Sequence, residues 1–404
     1  MTPQDLEMML GLKAPWKLEA VETDHAARRV LLRVVCTHTV WGDPVSHSRL
    51  HIHSWETRRW RHLDFWQYET VLEAEVPRVQ DPQTGQTQMV QVPWAEAGSR
   101  WTVAFEALAV EVLRHARTLE DGRKFLRMSW ASAQRLLQRA VQRGLTRRRI
   151  EEPRHLGIDE KSFLRGQSYM TILTDIEGRR VLEVVPGASR ESARAVLATL
   201  TEAQLAGVEA VAMDRSPAFV AAVEQSLPQA AIVHDPFHLA ADLHKAVDQV
   251  RRQEHRTLQR SGDDTLTGTK YLWLTDPHRL PPARLEHFTA LAQQALKTAR
   301  AWECKELFKG FHEQPDRNHG EIYFRRWYGR AIRSRLEPVR KVARSFRQSL
   351  PRLLTWFEHR ISNGAAEGFN SVIQALKSAS RGFRNPEHYR IRILFVCGKL
   401  DLMP

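Results

Sequence analysis

The feature that most constrains the fold is the order of strand-like and helix-like segments between residues 154 and 258. Three strand-like runs joined by short links come first, and they predict an antiparallel meander. Helices then alternate with two further strands, which gives the order βββαβαβα and predicts a mixed α/β sheet with helices on its faces. The predicted strands cover 155–159, 169–175, 180–185, 208–214 and 230–235, and the predicted helices cover 189–200, 218–227 and 238–258.

Residues 1–100 contain short strand-like runs with turns and predict a small β-rich N-terminal domain. Within it, the run from Trp55 to Trp66 is rich in tryptophan, arginine and histidine. That mixture suits a nucleic-acid surface, and it equally suits a small core of buried tryptophans with solvated arginines. The arginines predicted to contact DNA here are Arg58, Arg59 and Arg61.

Residues 101–150 change to helical spacing and predict a helix-turn-helix domain. The pattern indicates one helix from Phe105 to Leu119, a short second helix within 122–128, and a basic third helix for which Ser129 is the N-cap. This order is typical of a DNA-binding module, although three-helix cores that bind no DNA are common. The predicted DNA contacts are Ser129, Arg135, Arg139, Arg143, Arg147, Arg148 and Arg149.

Residues 262–360 form a polar region that is helical by period and dense in arginine and lysine. We interpret it as an all-α insertion, because residues 361–404 return to an apolar helical pattern after Asn363-Gly364. Glu367 lies in the first turns of that helix, where the helix dipole alone favours an acid. The predicted DNA contacts in this last part are Lys377, Arg381 and Arg384.

The overall charge favours a polyanionic partner. The net charge is +13 and the pI is near 10.0, and nucleic acid is the leading candidate. The three cysteines are widely separated and form neither a disulfide framework nor a CxxC metal site. The sequence has no apolar run near the ~20 residues of a membrane helix, and its N-terminal residues lack the pattern of an export signal. We therefore expect a cytoplasmic protein with no membrane partner.

Two aspartates end predicted strands that should lie inside the sheet. Asp159 and Asp214 each terminate an apolar run, where a buried carboxylate is costly unless it is paired or binds a metal. Together with Glu367 they form an oxygen-rich set that suits Mg²⁺ or Mn²⁺. Each acid has an ordinary alternative as a strand end, a turn former or a helix start. Spacing alone does not bring the three together.

Five short motifs follow one another along the chain. They are Gly157-Ile-Asp-Glu-Lys-Ser162, Met213-Asp-Arg-Ser-Pro217, His234-Asp-Pro-Phe-His238, Asn363-Gly-Ala-Ala-Glu-Gly-Phe-Asn370 and Gly382-Phe-Arg-Asn385. Together with Trp55–Leu63 and Val92–Ala95, they resemble a bacterial insertion-sequence transposase of the ISL3 family over nearly the whole chain. Members of that family have a ribonuclease-H-like core that carries a DDE triad and is interrupted by a helical insertion.

The resemblance implies that Asp159, Asp214 and Glu367 are the catalytic triad and that they hold two Mg²⁺ ions, with Mn²⁺ as a substitute. It also implies that Asp235 and His238 lie at the edge of that site. The catalytic core is then formed by residues 151–261 and 361–404. Asn370, one turn beyond Glu367 on the same helix face, is expected to support the metal ligands by a hydrogen bond.

The resemblance further implies a DNA transposase that binds terminal inverted repeats and target DNA, cleaves and joins strands, and acts as a homodimer or larger assembly at the nucleoid. Two other functions stay open. One is a domesticated transposase that regulates by binding DNA without catalysis. The other is a structure-specific nuclease on the same fold.

Family members usually carry a cysteine-rich zinc motif in the N-terminal domain. Here only Cys36 remains near the expected place, and Asp81–Gly85 occupies a turn where family members often have a cysteine. The histidines near Cys36 lack finger-like spacing. They are His47, His51, His53 and His62. We therefore do not expect a structural Zn²⁺, with substitute histidine ligands as the alternative.

Overall fold

The chain folds into two compact units. The structure, a computed structural model, describes residues 3–42, 49–80, 85–149, 153–164 and 168–404, without the side chains of residues 3, 4, 49 and 365–367. The first unit comprises Met1–Arg148 with Leu400–Pro404, and the second comprises Arg149–Lys399. The finer division predicted at residues 100, 150, 261 and 360 remains a prediction.

The first unit begins with a short helix, α1 (Pro3–Met9), and continues into a β-sheet. The described strands are β1 (Trp16–Asp24), β2 (Arg29–Cys36), β3 (Val40–Gly42), β4 (Arg49–Arg61), β5 (Glu69–Gln80) and β6 (Thr87–Met89). Their order is β1-β2-β5-β4-β3, and β6 pairs with β5. The β2–β5 pair is parallel and the other pairs are antiparallel. The β-rich character expected for this part is therefore present.

The tryptophan-rich segment contributes to a core and to a surface. Trp60 is buried on β4 and packs edge to face against Trp94, which packs in the same way against Trp16. Trp55, by contrast, is 44% exposed, and Trp66 is 88% exposed. Successive side chains of a strand point to opposite faces, so Trp60 closes the core while Trp55 of the same strand faces solvent, and Trp66 lies beyond the end of β4. The core interpretation is correct for Trp60, and a nucleic-acid surface stays a prediction.

Helices complete the first unit. They are α2 (Val103–His115), α3 (Leu119–Phe125) and α4 (Trp130–Arg147). Ser129 is the N-cap of α4 and accepts a hydrogen bond from the Ser132 amide, as predicted. The predicted first helix is too long. It ends earlier because Thr118 caps α3 by accepting from the Asp121 amide, which puts Leu119 in the second helix.

The described part of the second unit contains a five-stranded mixed sheet. Its strands are β7 (His155–Leu164), β8 (Ser168–Asp175), β9 (Arg180–Pro186), β10 (Ala210–Met213) and β11 (Ala231–His234). Their order across the sheet is β11-β10-β7-β8-β9. β7, β8 and β9 form an antiparallel meander, while β10 and β11 are parallel to β7. The predicted mixed α/β sheet is confirmed at this level.

Helices connect the strands and pack on the sheet. They are α5 (Arg190–Leu197), α6 (Glu202–Ala206), α7 (Pro217–Ser226) and α8 (Pro236–Arg260). Val196 of α5 and Phe219 of α7 share one buried cluster with Leu156 of β7. The short helix α6 is an addition to the predicted order, and it begins with a capping box between Thr201 and Gln204.

The ends of β7 and β10, next to the two candidate aspartates, differ from the prediction. β7 does not end at Asp159 but continues to Leu164, because the residues after the aspartate pair with β8. β10 ends at Met213, so Asp214 lies just beyond the strand. Asp159 therefore lies within a strand, and Asp214 directly follows the last residue of one.

The remainder of the second unit is helical. Its helices are α9 (Lys270–Leu274), α10 (Pro282–Ala292), α11 (Lys297–His312), α12 (Arg317–Arg333), α13 (Glu337–Gln348), α14 (Leu350–Leu354), α15 (Trp356–His359), α16 (Gly364–Ala379) and α17 (Pro386–Cys397), with a 3-10 turn at Pro277–Arg279. Trp273, Phe308 and Phe346 lie in one hydrophobic cluster with Leu239 of α8, so α8 joins the insertion to the sheet. Among the described residues, the helices are too short or too polar to cross a membrane.

Candidate active site

Three aspartates occupy neighbouring positions in the second sheet. Asp159 is in β7, and the parallel register pairs Met213 of β10 with Ile158, so Asp214 follows directly beside Asp159. The register of β11 against β10 then brings Asp235 beside Asp214, and the Asp235 amide donates to the Met213 carbonyl at 3.0 Å. Adjacent strands are about 4.8 Å apart. The fold thus groups three carboxylates across three adjacent strands.

Asp159 is buried and is held by two donors. Its side chain accepts a hydrogen bond at Oδ2 from Nδ2 of Asn370 at 2.5 Å, and at Oδ1 from the Glu160 amide at 2.8 Å. Burial raises the pKa of Asp159 and the Asp214 carboxylate adds to the rise, while the two donors and His238 oppose it. The net direction is upward, as expected for a buried carboxylate that lacks a full positive partner.

Asp235 has an unsatisfied oxygen in the same group. It is the buried N-cap of α8, and its Oδ1 accepts from the Phe237 amide at 3.2 Å. Oδ2 is buried and has no hydrogen-bond partner among the described residues. Burial raises the pKa of Asp235, and Asp159 adds to the rise. The Phe237 amide, the ring of His238 and the Asn363 amide lower it, although the Asn363 amide does not reach Oδ2 in hydrogen-bond geometry.

His238 lies in the first turns of α8, close to the carboxylates. Its ring lowers the pKa values of Asp159, Asp235 and Glu160. Burial raises the pKa of Glu160, and the carboxylates of Asp214 and Asp159 raise it further. The fold therefore brings the predicted His238 and Asp235 together with the strand aspartates, and it adds Glu160, which the sequence analysis did not select.

Helix α16 is fastened along β7 by three side chains. Asn363, at the helix start, is buried and its Nδ2 lies 3.5 Å from a β7 carbonyl. Asn370 donates to Asp159, and Lys377 donates to the Ser162 carbonyl at 2.7 Å. Contacts at the start, middle and end fix the direction of the helix along the strand.

Glu367 belongs to α16, three positions before Asn370. Its side chain lies outside the described residues, so its position relative to the aspartates stays a prediction. The catalytic role of Asp159, Asp214 and Glu367 likewise stays a prediction.

Gly157 permits the close approach of Asn363 to the sheet. A Cβ atom at residue 157 would overlap the hydroxyl of Thr174 and the side-chain oxygen of Asn363. The chain that returns from the insertion thus packs directly on β7, two residues from Asp159. The motif therefore has glycine at residue 157 because a larger side chain would not fit there. The sequence analysis did not identify the contact.

Two of the arginines predicted to contact DNA on β4 remain accessible. Arg59 is 69% exposed and pairs with Glu73 at 2.5 Å, and Arg58 is partly exposed and pairs with Glu56 at 3.1 Å. The exposed Arg58–Glu56 pair contributes little to stability, so a phosphate can compete for its guanidinium, whereas the Glu73 carboxylate that pairs with Arg59 is only 12% exposed.

Arg61 has internal partners. Its side chain is only 14% exposed, and its guanidinium bonds to Asp64 and to the carbonyls of His62 and Thr70. It also lies 4.9 Å from the ring centroid of Phe105. These partners occupy its donors and disfavour a DNA contact, and the role predicted for Arg61 stays a prediction.

Arg143 also has internal partners. Its side chain is 8% exposed, and it bonds to Glu96 at 2.8 Å, to the buried Glu106 and to the Leu402 carbonyl at 2.6 Å. The guanidinium neutralises two internal carboxylates, which disfavours a DNA contact, and the predicted contact stays a prediction. Arg139 also pairs with Glu96, at 3.0 Å, and is 30% exposed.

The other predicted DNA contacts stay predictions. Ser129 serves as the N-cap of α4, Arg148 is half-buried, and Lys377 donates to β7. The exposed members of the set are Arg135, Arg147, Arg149, Arg381 and Arg384.

The acidic group fits a divalent cation with oxygen ligands. Asp159, Asp214 and Asp235 supply carboxylates from three adjacent strands, and the buried Oδ2 of Asp235 has no donor in the described part of the chain. Neighbouring carboxylates repel one another, and a cation or a proton among them relieves that repulsion. Mg²⁺ and Mn²⁺ prefer such oxygen sets.

Comparison with known proteins identifies the family. A family model described as a transposase, of the DDE type and the ISL3 class, matches residues 156–393. A second model, described as a zinc-finger of transposase IS204/IS1001/IS1096/IS1165, matches residues 46–80. Because the first match spans more than half of the chain, the protein belongs to the ISL3 family of DDE transposases.

Relatives with curated descriptions agree with this family. The chain is 26% identical over 349 residues to the transposase for insertion sequence element IS1001 of Bordetella parapertussis, covering 85% of each chain. It is 26% identical over 356 residues to the transposase for insertion sequence element IS1557 of Mycobacterium tuberculosis, covering 82% of this chain and 79% of the relative. The resemblance inferred from the motifs is confirmed.

The zinc-finger match contradicts our expectation about zinc, and we withdraw that expectation. The matched segment 46–80 nevertheless contains no cysteine. His51 and His53 lie on the exposed face of β4, and His62 is partly buried against the Thr102 hydroxyl at 2.9 Å. Burial lowers the pKa of His62 to about 4. The described residues of this segment therefore do not fit a four-ligand zinc finger, while His47 and residues 81–84 lie outside the described residues.

Proposed function

We propose that this protein is a DNA transposase that cleaves and joins DNA strands with the help of divalent metal ions, and that Asp159, Asp214 and Glu367 are its catalytic triad. The observation that carries the proposal is the register that sets Asp159 beside Asp214 on adjacent strands, in a member of the ISL3 family. The strand order β11-β10-β7-β8-β9, with an antiparallel meander and two parallel strands, supports a ribonuclease-H-like core. The helical region from α9 to α15 is the insertion in that core.

Glu367 completes the triad. It lies three positions before Asn370 in α16, and Asn370 donates to Asp159. Positions three apart on a helix share a face, and they differ by about 4.5 Å along the axis. Residue 367 therefore shares a helix face with Asn370, and this spacing supports a carboxylate from the helix joining those from the strands.

In this proposal Asp159, Asp214 and Glu367 hold two Mg²⁺ ions, or Mn²⁺, with Asp235 and His238 at the edge of the site. When bound, such ions activate the attacking oxygen and stabilise the leaving oxygen of a phosphodiester. The contribution of the chain is positional. Its strands hold the first two carboxylates side by side before any substrate arrives.

The residues around Asp159 orient that carboxylate and oppose the rise in its pKa that burial causes. Asn370 and the amide of Glu160 each donate to one of its oxygens, so the plane of the carboxylate is fixed. These two donors and the ring of His238 oppose the rise in pKa that burial causes. A bound cation would also lower the pKa of Asp159, since it favours the charged form of the carboxylate.

The substrate is DNA that carries the terminal inverted repeats of an insertion sequence, with target DNA as a second partner. The net charge of +13, the exposed arginines of α4 and the exposed ring of Trp66 support a nucleic-acid partner. The names of the relatives, which are transposases for insertion sequence elements, support the specific substrate. The reaction joins distant DNA ends, so a homodimer or larger assembly acts on cytoplasmic nucleoid DNA.

The test is a cleavage assay with the purified full chain and Mg²⁺. One DNA duplex carries the two ends of the element that encodes the chain, a matched duplex has those ends scrambled, and a third DNA is branched and has no ends. Cleavage at the repeat boundary of the first duplex alone supports the proposal. Binding of the ends without any nicking would favour a regulator, and cleavage of the branched DNA irrespective of ends would favour a nuclease. Either result contradicts the proposal.

A further inference from the structure

A second group of metal-binding side chains lies in the second unit, away from the aspartates. His155 begins β7, Glu209 directly precedes β10, and His359 ends α15. One ligand atom from each lies within 4.8 Å of the ligand atoms of the other two. Asp159 is four residues further along β7, about 13 Å away at 3.3 Å per residue. The group is therefore separate from the acidic site.

The two ring nitrogens of His155 are in different situations. Nδ1 lies 2.9 Å from Oε1 of Glu177. Nε2 is buried, has no hydrogen-bond partner within the described residues, and lies 4.0 Å from Oε2 of Glu209. If Nδ1 carries the proton and donates it to Glu177, Nε2 presents its lone pair. Nε2 of His155 and Oε2 of Glu209 are then two acceptors that face each other without a donor between them. A cation bound there supplies the missing positive charge.

His359 supplies a second imidazole, with its ring centroid 5.7 Å from that of His155. Backbone hydrogen bonds fix His155 and Glu209, the two ligands that belong to the sheet. The Glu209 amide donates to the Arg154 carbonyl at 2.8 Å, and the Ile176 amide donates to the His155 carbonyl at 3.1 Å. Two imidazoles and one carboxylate form a ligand set that suits Zn²⁺, with a fourth position open to water.

Arg154 is the competing cation at this place. It donates to the two oxygens of Glu209 at 2.8 and 3.0 Å. The pair is weak, however, because the side chains of Arg154 and Glu209 are 60% and 45% exposed. A carboxylate has about four lone-pair sites, so one oxygen of Glu209 can bind a metal while the other keeps Arg154.

We propose that His155, Glu209 and His359 bind a divalent cation of the Zn²⁺ type, and that Glu177 orients His155 from outside the coordination sphere. The ion joins the starts of β7 and β10 to the end of α15. It thereby fastens the last helix of the insertion to the sheet. This proposal does not depend on the transposase reaction.

The position of His359 gives the ion a structural purpose. His359 lies eight residues before Glu367, and Ile361 and Asn363 between them are buried. An ion at His359 therefore fixes the point at which the chain leaves the insertion and returns to the sheet.

The test uses the full chain, freed of transition metals by a chelator, with millimolar Mg²⁺ present to occupy the carboxylate site. Mg²⁺ does not favour imidazole ligands, so it leaves the histidine group open. Zn²⁺ is titrated by calorimetry, and bound zinc is counted by elemental analysis. The unmodified protein is compared with His359→Ala and Glu209→Gln, and with His255→Ala, a half-buried histidine on α8 outside the group, as the matched control.

We expect one equivalent of Zn²⁺ to be lost in His359→Ala and in Glu209→Gln, and to be kept in His255→Ala. We also expect Zn²⁺ at a hundredfold excess over its Kd to raise the melting temperature of the unmodified protein by roughly 5 °C, and to do so in neither test variant. Zinc bound elsewhere in the chain is common to all the proteins and cancels in the comparison.

The proposal is overturned if the unmodified protein binds no equivalent of zinc that the two variants lack. His155 is then a hydrogen-bond partner of Glu177 and holds no metal. Glu209 is substantially exposed, so Glu209→Gln keeps the test valid if His359→Ala does not fold, and circular dichroism reports folding for each protein.

Discussion

Asn370 donates a hydrogen bond to Oδ2 of Asp159 at 2.5 Å, although 211 residues separate the two in the sequence. The bond ties α16 to the central strand of the second sheet. The other oxygen of Asp159 accepts from the Glu160 amide at 2.8 Å. The two bonds together hold the carboxylate in one orientation.

Replacing Asn370 tests the importance of that orientation. We expect Asn370→Ala to lower the rate of DNA cleavage about 10- to 100-fold and to raise the Mg²⁺ concentration needed for half the maximal rate, because an outer partner of a metal ligand is lost. Binding of DNA ends should not change. Gln374→Ala, an exposed position one turn further along α16, is the control. Full activity of Asn370→Ala would show that Asp159 needs no such support.

Asp235→Asn tests whether the unsatisfied carboxylate serves a cation. Asparagine also caps helices, so the hydrogen bond to the Phe237 amide can be kept. Since burial raises the pKa of Asp235, removal of its charge should leave the free energy of unfolding without metal unchanged or higher by about 1 kcal/mol. The Mg²⁺ dependence of cleavage should shift to higher concentration.

The matched control is Asp276→Asn, which changes the N-cap of the 3-10 turn, where the aspartate accepts from the His278 amide at 3.1 Å. No shift of the Mg²⁺ dependence in Asp235→Asn, together with a loss of stability, would assign Asp235 a capping role only.

Gly157→Ala should displace α16. The added methyl group would overlap Thr174 and Asn363, and we expect a loss of about 1–3 kcal/mol in the free energy of unfolding, measured with denaturant, and reduced cleavage. Gly329→Ala in α12 is the control. Its added methyl group contacts only the flexible end of Arg333, and it should stabilise the helix by up to about 1 kcal/mol. Equal stability of Gly157→Ala and the unmodified protein would disprove the close packing.

Substitutions at Arg143 and Arg135 should distinguish an effect on folding from an effect on DNA binding. Arg143→Ala leaves the buried Glu106 without its partner and should cost about 3–5 kcal/mol of stability. Arg135 is exposed on the same helix, and Arg135→Ala should change stability by less than about 0.5 kcal/mol. It should weaken DNA binding and lower the slope of log affinity against log salt by about 1. A stable Arg143→Ala protein that has lost DNA binding would show that Arg143 contacts DNA and is not needed for folding.

Local patterns were sufficient to predict most helices and strands between residues 155 and 258. Short links between apolar runs predicted the meander from β7 to β9, and Ser129 and Ser189 marked helix starts because capping depends on the next few residues only. The strand ends were harder. β7 continues past Asp159 because β8 pairs with it, and pairing partners are set by the tertiary fold.

The candidate site was only partly predictable, because its contacts join distant segments. Asp159 and Asp214 were selected from the apolar runs that precede them. The overlap that Gly157 avoids depends on Asn363, and the sequence gives no sign of that contact. The internal partners of Arg61 and Arg143 are equally hidden, since the sequence displays a basic residue but not the carboxylates that neutralise it.

The central claim is that Asp159, Asp214 and Glu367 act together at one metal-dependent site. The direct measurement is Mg²⁺-dependent cleavage and strand transfer on DNA with the element ends, using Asp159→Asn, Asp214→Asn and Glu367→Gln, with end binding measured in parallel. Glu387→Gln, which alters an exposed acid in the first turn of α17, is the matched control. We predict that each triad variant reduces cleavage to background while end binding stays near normal, and that the control keeps full activity. Strand transfer retained by any one of the three triad variants would contradict the assignment.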